Sequence, residues 1–139
     1  MKLSVKSDYA ARALLSLARA YPSGEARKIE DLAAEHDLPA GYLVQILLEL
    51  KAKHLVKSQR GKAGGYLLAR PPAEITFTEL LRAMHGQVFD SPALSDPRCP
   101  PELRAAWLTL RRRLEEAGDS ISLQDLIDQG PDKAKMYYI

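Results

Sequence analysis

Cysteine is almost missing from this chain: Cys99 is the one thiol in 139 residues. An intrachain disulfide is therefore excluded, and a reducing compartment is expected. Long apolar runs are missing too, since nowhere do about 18 consecutive apolar residues occur, the length a membrane-spanning helix needs. Met1-Lys2-Leu3-Ser4 leads straight into an amphipathic pattern without the apolar stretch of a secretion signal, so a cytoplasmic protein with no membrane partner is expected. There is no nucleophile elbow and no His-Glu-x-x-His string, and acids such as Glu115-Glu116 follow helical surface spacing, so the chain is not expected to be an enzyme. One absence is local. Between Lys51 and Arg70 no acid occurs, while Lys51, Lys53, Lys57, Arg60, Lys62 and Arg70 do.

What is present follows the same division. Residues 1–72 hold twelve Lys/Arg and seven Asp/Glu, a net of +5, whereas residues 73–139 hold eight and eleven, a net of −3. A polyanionic partner is expected at the N-terminal half and a different task at the other end. Tyr9, Ala10, Ala13, Leu14, Leu17, Ala18 and Tyr21 keep helical spacing, with Ser4 or Ser7 as cap and Pro22-Ser23-Gly24 as the end. A short helix from about Ile29 to His36 follows. Asp37 suits a tight left-handed turn, Leu38 fills the corner, and Pro39 suits the entry of a third helix running to about Lys53 with Leu43, Ile46, Leu47 and Leu50 inward. Two helices joined this way read as a helix-turn-helix. Leu55–Ser58 and Tyr66–Ala69 read as a hairpin directly behind it, with Gly61, Gly64 and Gly65 giving a mobile tip. Thr76 or Thr78 caps a fourth helix, burying Phe77, Leu80, Leu81 and Met84 and ending near Gly86.

The expected fold is mainly α with a small β wing: a winged helix-turn-helix plus a long dimerisation helix. Residues 1–86 form the DNA-binding domain, 87–100 a loop, and 101–139 the dimerisation helix, a short C-terminal helix and a tail. In the long helix Leu103, Trp107, Leu110, Leu114 and Ala117 step by 4, 3, 4, 3, a heptad seam. The opposite face, Arg104, Arg111, Arg112 and Glu115, is expected to be exposed, which suits a helix crossing its own copy.

A recognition helix followed by a basic wing points to double-stranded DNA. Outward candidates on the third helix are Gly41, Tyr42, Val44, Gln45 and Glu49. Gln45 is the expected base reader, because its amide can pair bidentately with adenine. Tyr42, Lys51 and Lys53 are expected at phosphates, Arg60 in a narrow minor groove, and Lys57, Ser58 and Lys62 at flanking phosphates. Two other uses of these features compete. The basic residues could be a solvated face on a fold used only for protein contact. The glycines could form a nucleotide loop, but Gly61-Lys62 lacks the upstream Gly and Ala63 stands where Ser or Thr should follow the Lys.

Several strings carry a resemblance: Met1-Lys2-Leu3-Ser4-Val5-Lys6-Ser7-Asp8-Tyr9-Ala10, Tyr42-Leu43-Val44-Gln45, Leu55-Val56-Lys57-Ser58 with Arg60-Gly61 and Gly64-Gly65-Tyr66, and Ile75-Thr76. Together they resemble the Rrf-two family of bacterial winged helix-turn-helix regulators, and most of all its cluster-free branch of cysteine-metabolism repressors. The resemblance implies a homodimer crossed through the long helix and bound to a palindromic operator, acting as a repressor. It also implies a limit: where the family's four-residue string usually has Glu, this chain has Val44, so the operator sequence does not carry over.

Family members that sense iron–sulfur clusters, nitric oxide or redox state use three cysteines in the loop before the long helix. Here only Cys99 stands there, and His36, His54 and His85 show no ligand spacing with it, so no cofactor and no metal site are expected. The alternatives are an intersubunit cluster that recruits His85, and a redox-reactive Cys99 activated by Arg98. The chain ends Tyr137-Tyr138-Ile139, similar to the aromatic-aromatic-Ile ends of the cysteine-metabolism branch. A free carboxylate beside an apolar side chain can enter a pocket built for an amino-acid carboxylate. The resemblance thus implies O-acetylserine sulfhydrylase as a partner; the competing use of the tail is to pack on the protein's own dimer.

Overall fold

Ser4 starts the first helix. Its side chain accepts from the Ser7 backbone N–H at 3.2 Å, satisfying one of the donors left open at a helix N-terminus. From there α1 runs over Val5–Ala20, and a 3-10 turn at Tyr21–Ser23 with left-handed Gly24 ends it. The computed structural model describes residues 2–136, with side chains as far as residue 130. After α1 come α2 (Ile29–His36), α3 (Ala40–Ala52), β1 (Val56–Gln59), β2 (Gly65–Leu68), α4 (Phe77–His85), α5 (Pro101–Asp119) and α6 (Leu123–Met136). This is a mainly α protein with one antiparallel hairpin, the winged helix-turn-helix that the patterning indicates.

Asp37 makes the turn between α2 and α3. It adopts φ 53°, ψ 51°, and the next N–H, that of Leu38, reaches back to the Ala33 carbonyl at 2.9 Å, a Schellman-type closure. Leu38 is buried at the corner. The end of α3 repeats the device with His54, φ 63°, where Leu55 N–H donates to the Leu50 carbonyl at 3.0 Å. Two left-handed non-glycine residues therefore bracket α3 and set both its entry and its exit into the hairpin.

Leu14 and Leu17 of α1, Leu32 of α2 and Leu43, Ile46, Leu47 and Leu50 of α3 are all at most 1% exposed. Each such side chain contributes about 1.5–3 kcal/mol relative to exposure. Leu55, Val56, Leu68, Ile75 and Leu80 extend the same core towards the hairpin and α4. So does Leu123. The Phe77 N–H donates to the Ile121 carbonyl and the Leu123 N–H to the Ile75 carbonyl, both at 3.0 Å, and α6 packs on α1. The segment after residue 100 thus returns to complete the core of the N-terminal part. Gly130 (φ 59°, ψ 169°) kinks α6.

The long helix is placed differently from its heptad reading. Gly118 is its one buried residue, and it sits against α4: a Cβ there would lie 2.5 Å from Thr78 Oγ1. The Thr78 hydroxyl donates to the Glu115 carbonyl at 3.0 Å. Glu115 also pairs with Arg82 at 3.4 Å and Arg111 at 3.9 Å. Arg104 turns back to the Asp96 carbonyl. The face Arg104, Arg111 and Glu115 is therefore half-buried; of the residues assigned to an exposed back, Arg112 alone is exposed. The seam is split. Trp107 and Leu114 are half-buried, Phe89 stacking on Trp107 at 6.0 Å, while Leu103 and Leu110 are 45% and 49% exposed.

Candidate nucleic-acid interface

The inward residues of α3 leave Gly41, Gln45, Leu48 and Ala52 as its outermost stripe, and all four are exposed. Gln45 is exposed on that face and, among the described residues, its side chain takes part in no hydrogen bond. Tyr42 lies at its edge, exposed, with its ring edge-on to Tyr9 of α1 at 5.7 Å and 74°. Val44 is half-buried and turns from the stripe. Glu49 pairs with Lys6 at 2.5 Å, so the one carboxylate of this helix is neutralised where it would oppose a polyanion. Leu48, 46% exposed, joins this face although helical patterning alone assigns leucine inward. An exposed leucine beside Gln45 breaks the polar pattern of a solvated face, and that was the signal available for it. Its chemistry suits the methyl group of thymine.

The hairpin joins this face from the C-terminal end of α3. Its register pairs Val56 with Leu68, Lys57 with Leu67, Ser58 with Tyr66 and Gln59 with Gly65, each strand beginning one residue away from its expected start. Lys51 Nζ donates to Ser58 Oγ at 2.8 Å, tying the last turn of α3 to β1; both residues remain exposed. Lys57, Arg60 and Lys62 are exposed, and among the described residues none of them takes part in an ion pair. Two members of the basic run lie elsewhere. Lys53 lines a cleft with Glu79 and Arg82 of α4, and Arg70 pairs with Glu79. The cations grouped with α3 are thus Lys51 and those of the hairpin.

Two of the hairpin glycines serve packing rather than mobility. A Cβ on Gly64 would fall 2.4 Å from the Gln59 carbonyl oxygen. At Gly65, φ is 148° and a Cβ would fall 2.3 Å from the Arg27 carbonyl oxygen. Arg27, in the segment between α1 and α2, forms an antiparallel bridge to Tyr66 that nothing in the sequence marked. The Arg27 guanidinium donates to Glu35 of α2 at 2.7 Å, and this hydrogen bond, opposed by partial burial and aided by Ser16, holds the Glu35 carboxyl below the usual carboxylate range.

Metal-binding capacity is meagre. Cys99 is buried, its thiol facing the Pro100 carbonyl at 3.6 Å, which limits access to oxidants. His85 is hydrogen-bonded to Ser7. Among the described residues no three His, Cys, Asp or Glu side chains converge on a common point. This donor set does not fit an iron–sulfur cluster, which takes about four ligands. No described helix is long and apolar enough to cross a membrane. Tyr137, Tyr138 and Ile139 lie outside the described residues.

Residues 3–129 match the model of the Rrf2 family, described as iron-dependent transcriptional regulators. The chain is 33% identical over 141 residues to the HTH-type transcriptional regulator CymR of Bacillus subtilis, covering the whole of both chains. Among solved structures, CymR, the global cysteine regulator of B. subtilis, superimposes with a TM-score of 0.78 at 30% identity, over 90% of this chain and 95% of that one. IscR of T. potens does so with a TM-score of 0.77 at 28% identity, over 95% of this chain and 90% of that one.

Proposed function

The chain belongs to the Rrf2 family of helix-turn-helix transcriptional regulators, and from that premise we propose that it is a homodimeric, cytoplasmic repressor reading a palindromic operator without a cofactor. The observation that carries this is the grouping of exposed Lys57, Arg60 and Lys62 on a hairpin fastened to the exposed Gln45 face of α3. An α-helix fits the major groove of B-DNA and reads base edges from its N-terminal turns. Gln45 supplies a bidentate amide, Leu48 an apolar contact, and Tyr42, Lys51, Lys57, Ser58 and Lys62 bind phosphates. Arg60, at the wing tip, enters the neighbouring minor groove, where a narrow A·T-rich segment concentrates negative potential. Lys53, turned towards α4, contributes long-range attraction rather than a contact.

Leu103 and Leu110 support the dimer. Two large apolar side chains left open on one stripe of a 19-residue helix are best satisfied by the same stripe of a second copy, with Trp107 and Leu114 at its margin. An isologous pair places two recognition helices in successive major grooves, about 34–36 Å or a multiple apart. Selection of binding sites by the purified protein tests the whole reading. Inverted repeats spaced by one or two helical turns are expected; enrichment of no motif, or of an isolated half-site, removes it.

Control of cysteine metabolism is supported by full-length similarity to CymR. On this reading the Tyr137-Tyr138-Ile139 end presents its carboxylate and isoleucine to O-acetylserine sulfhydrylase, so that the enzyme's state reaches the promoter. Titration of that enzyme with a peptide ending in these residues, with and without Ile139, decides it, and equal affinities would dismiss the tail as a ligand.

A further inference from the structure

We propose that Arg27 and Glu35 are positioning residues for DNA binding: they touch no DNA, and act by holding the wing at a fixed angle to the recognition helix. This rests on reading the hairpin as a DNA-contacting wing. A hairpin of two four-residue strands is marginal by itself, so its direction depends on what grips it. Lys51 grips β1 from α3. At its C-terminal end β2 is held by core-buried Leu68; nearer the tip the grip on it is Arg27. Its N–H donates to the Tyr66 carbonyl at 2.9 Å and its carbonyl accepts from the Tyr66 N–H at 2.8 Å. Gly65 lets the two backbones approach, since any Cβ there would strike the Arg27 carbonyl.

What holds Arg27 is a chain of polar contacts through the helix-turn-helix. Its guanidinium donates to Glu35 Oε2 at 2.7 Å. Glu35 Oε1 accepts from the Ser16 hydroxyl at 2.9 Å. Ser16 is fully buried on α1, and its oxygen accepts in turn from His36 Nε2 at 2.6 Å. The acceptor at Glu35 requires the Ser16 proton, so the His36 ring nitrogen is the donor. The path runs from core helix to α2 to Arg27 to β2, and it bypasses α3 altogether. A buried hydroxyl with both neighbours satisfied is a rigid anchor. The ion pair itself, with Arg27 and Glu35 side chains 28% and 34% exposed, is strong enough to bias a flexible hairpin and too weak to decide whether the domain folds.

The test crosses Glu35→Gln and Arg27→Ala with Arg60→Ala and measures operator affinity. Either substitution is expected to weaken binding about fivefold, the weight of about 1 kcal/mol, and Arg27→Lys to recover part of it. In the Arg60→Ala background the loss should fall below about twofold, because a misaimed wing matters little once its tip contact is gone. An equal loss in both backgrounds would overturn the proposal, since the pair would then act on the domain rather than through the wing. Amide hydrogen exchange supplies a reading without DNA: in Glu35→Gln the Tyr66 N–H should speed up by a larger factor than that of core residue Leu47, whose change reports only the global loss of stability. An unaltered Tyr66 rate overturns the strut even if operator binding is weakened. A wild-type chain that binds no operator instead removes the reading on which the proposal rests, and the proposal with it.

Discussion

Replacing Gly65 by alanine adds one methyl group and is expected to cost about 3–5 kcal/mol of stability. The methyl would sit 2.3 Å from the Arg27 carbonyl oxygen and 2.6 Å from its carbon. Both are backbone atoms, so no side chain can swing aside. Relief requires the hairpin to move away, which breaks the two Arg27–Tyr66 hydrogen bonds, each worth about 1 kcal/mol net. The backbone adds strain of its own: φ of 148° is a region that costs a non-glycine residue about 1–3 kcal/mol. The control is Gly41→Ala, the same chemical change on the exposed face of α3. A Cβ there meets nothing within 4 Å, and alanine in a helix gains up to about 1 kcal/mol over glycine, less in a first turn. Urea unfolding, followed by far-UV circular dichroism, gives both values from the shift in midpoint at constant slope. Opposite signs are expected. A loss below about 1 kcal/mol for Gly65→Ala would mean that the hairpin has room beside Arg27, and would refute the packing argument made for that glycine.

Arg60→Ala should reduce the slope of log affinity against log salt by about 0.9 per operator half-site, or about 1.8 for a dimer on a palindrome; an unchanged slope would take Arg60 off the DNA. Glu35→Gln should destabilise the fold at neutral pH by about 0.5–1 kcal/mol, a figure kept small because the pair is partly solvated. The Glu35 carboxyl titrates below its ordinary 4.5, chiefly through the Arg27 hydrogen bond. Its stabilisation is therefore complete above that pH and lost as the pH falls through the folded-state value, so wild type and variant should converge in acid. A gap that persists or widens in acid would contradict this. Leu103→Glu combined with Leu110→Glu should yield a folded monomer by sedimentation with operator affinity reduced at least tenfold; a dimer of unchanged strength would move the interface elsewhere.

The helices α1 to α4 were legible because each buries one face, and 3.6-residue spacing records that face locally. Asp37 was legible because few residue types tolerate its conformation. The hairpin was legible in kind but displaced by one residue, since Gly65, which a propensity reading excludes from a strand, pairs with Gln59. Arg27 was invisible: a single-residue bridge has no period, and its partner lies 39 positions away at Tyr66. The basic run was visible as composition, yet only geometry separates Lys57, Arg60 and Lys62 from Lys53 and Arg70. On α5 the heptad marked the apolar stripe but not how it is divided. That division is made by Gly118 against Thr78, a contact between one absent side chain and one small one.

The return of α6 to α1 bears on how the protein is made. Leu123 and the 75–77 to 121–123 pairing join segments separated by most of the second half of the chain. Contacts of such long sequence range form late, because a large loop must close before they contribute. While the chain emerges from the ribosome, α1 to α4 appear well before the segment that finishes their core. A nascent or C-terminally clipped chain therefore exposes the apolar surface that Leu123 would cover, and proteolysis can remove it before it reaches a promoter.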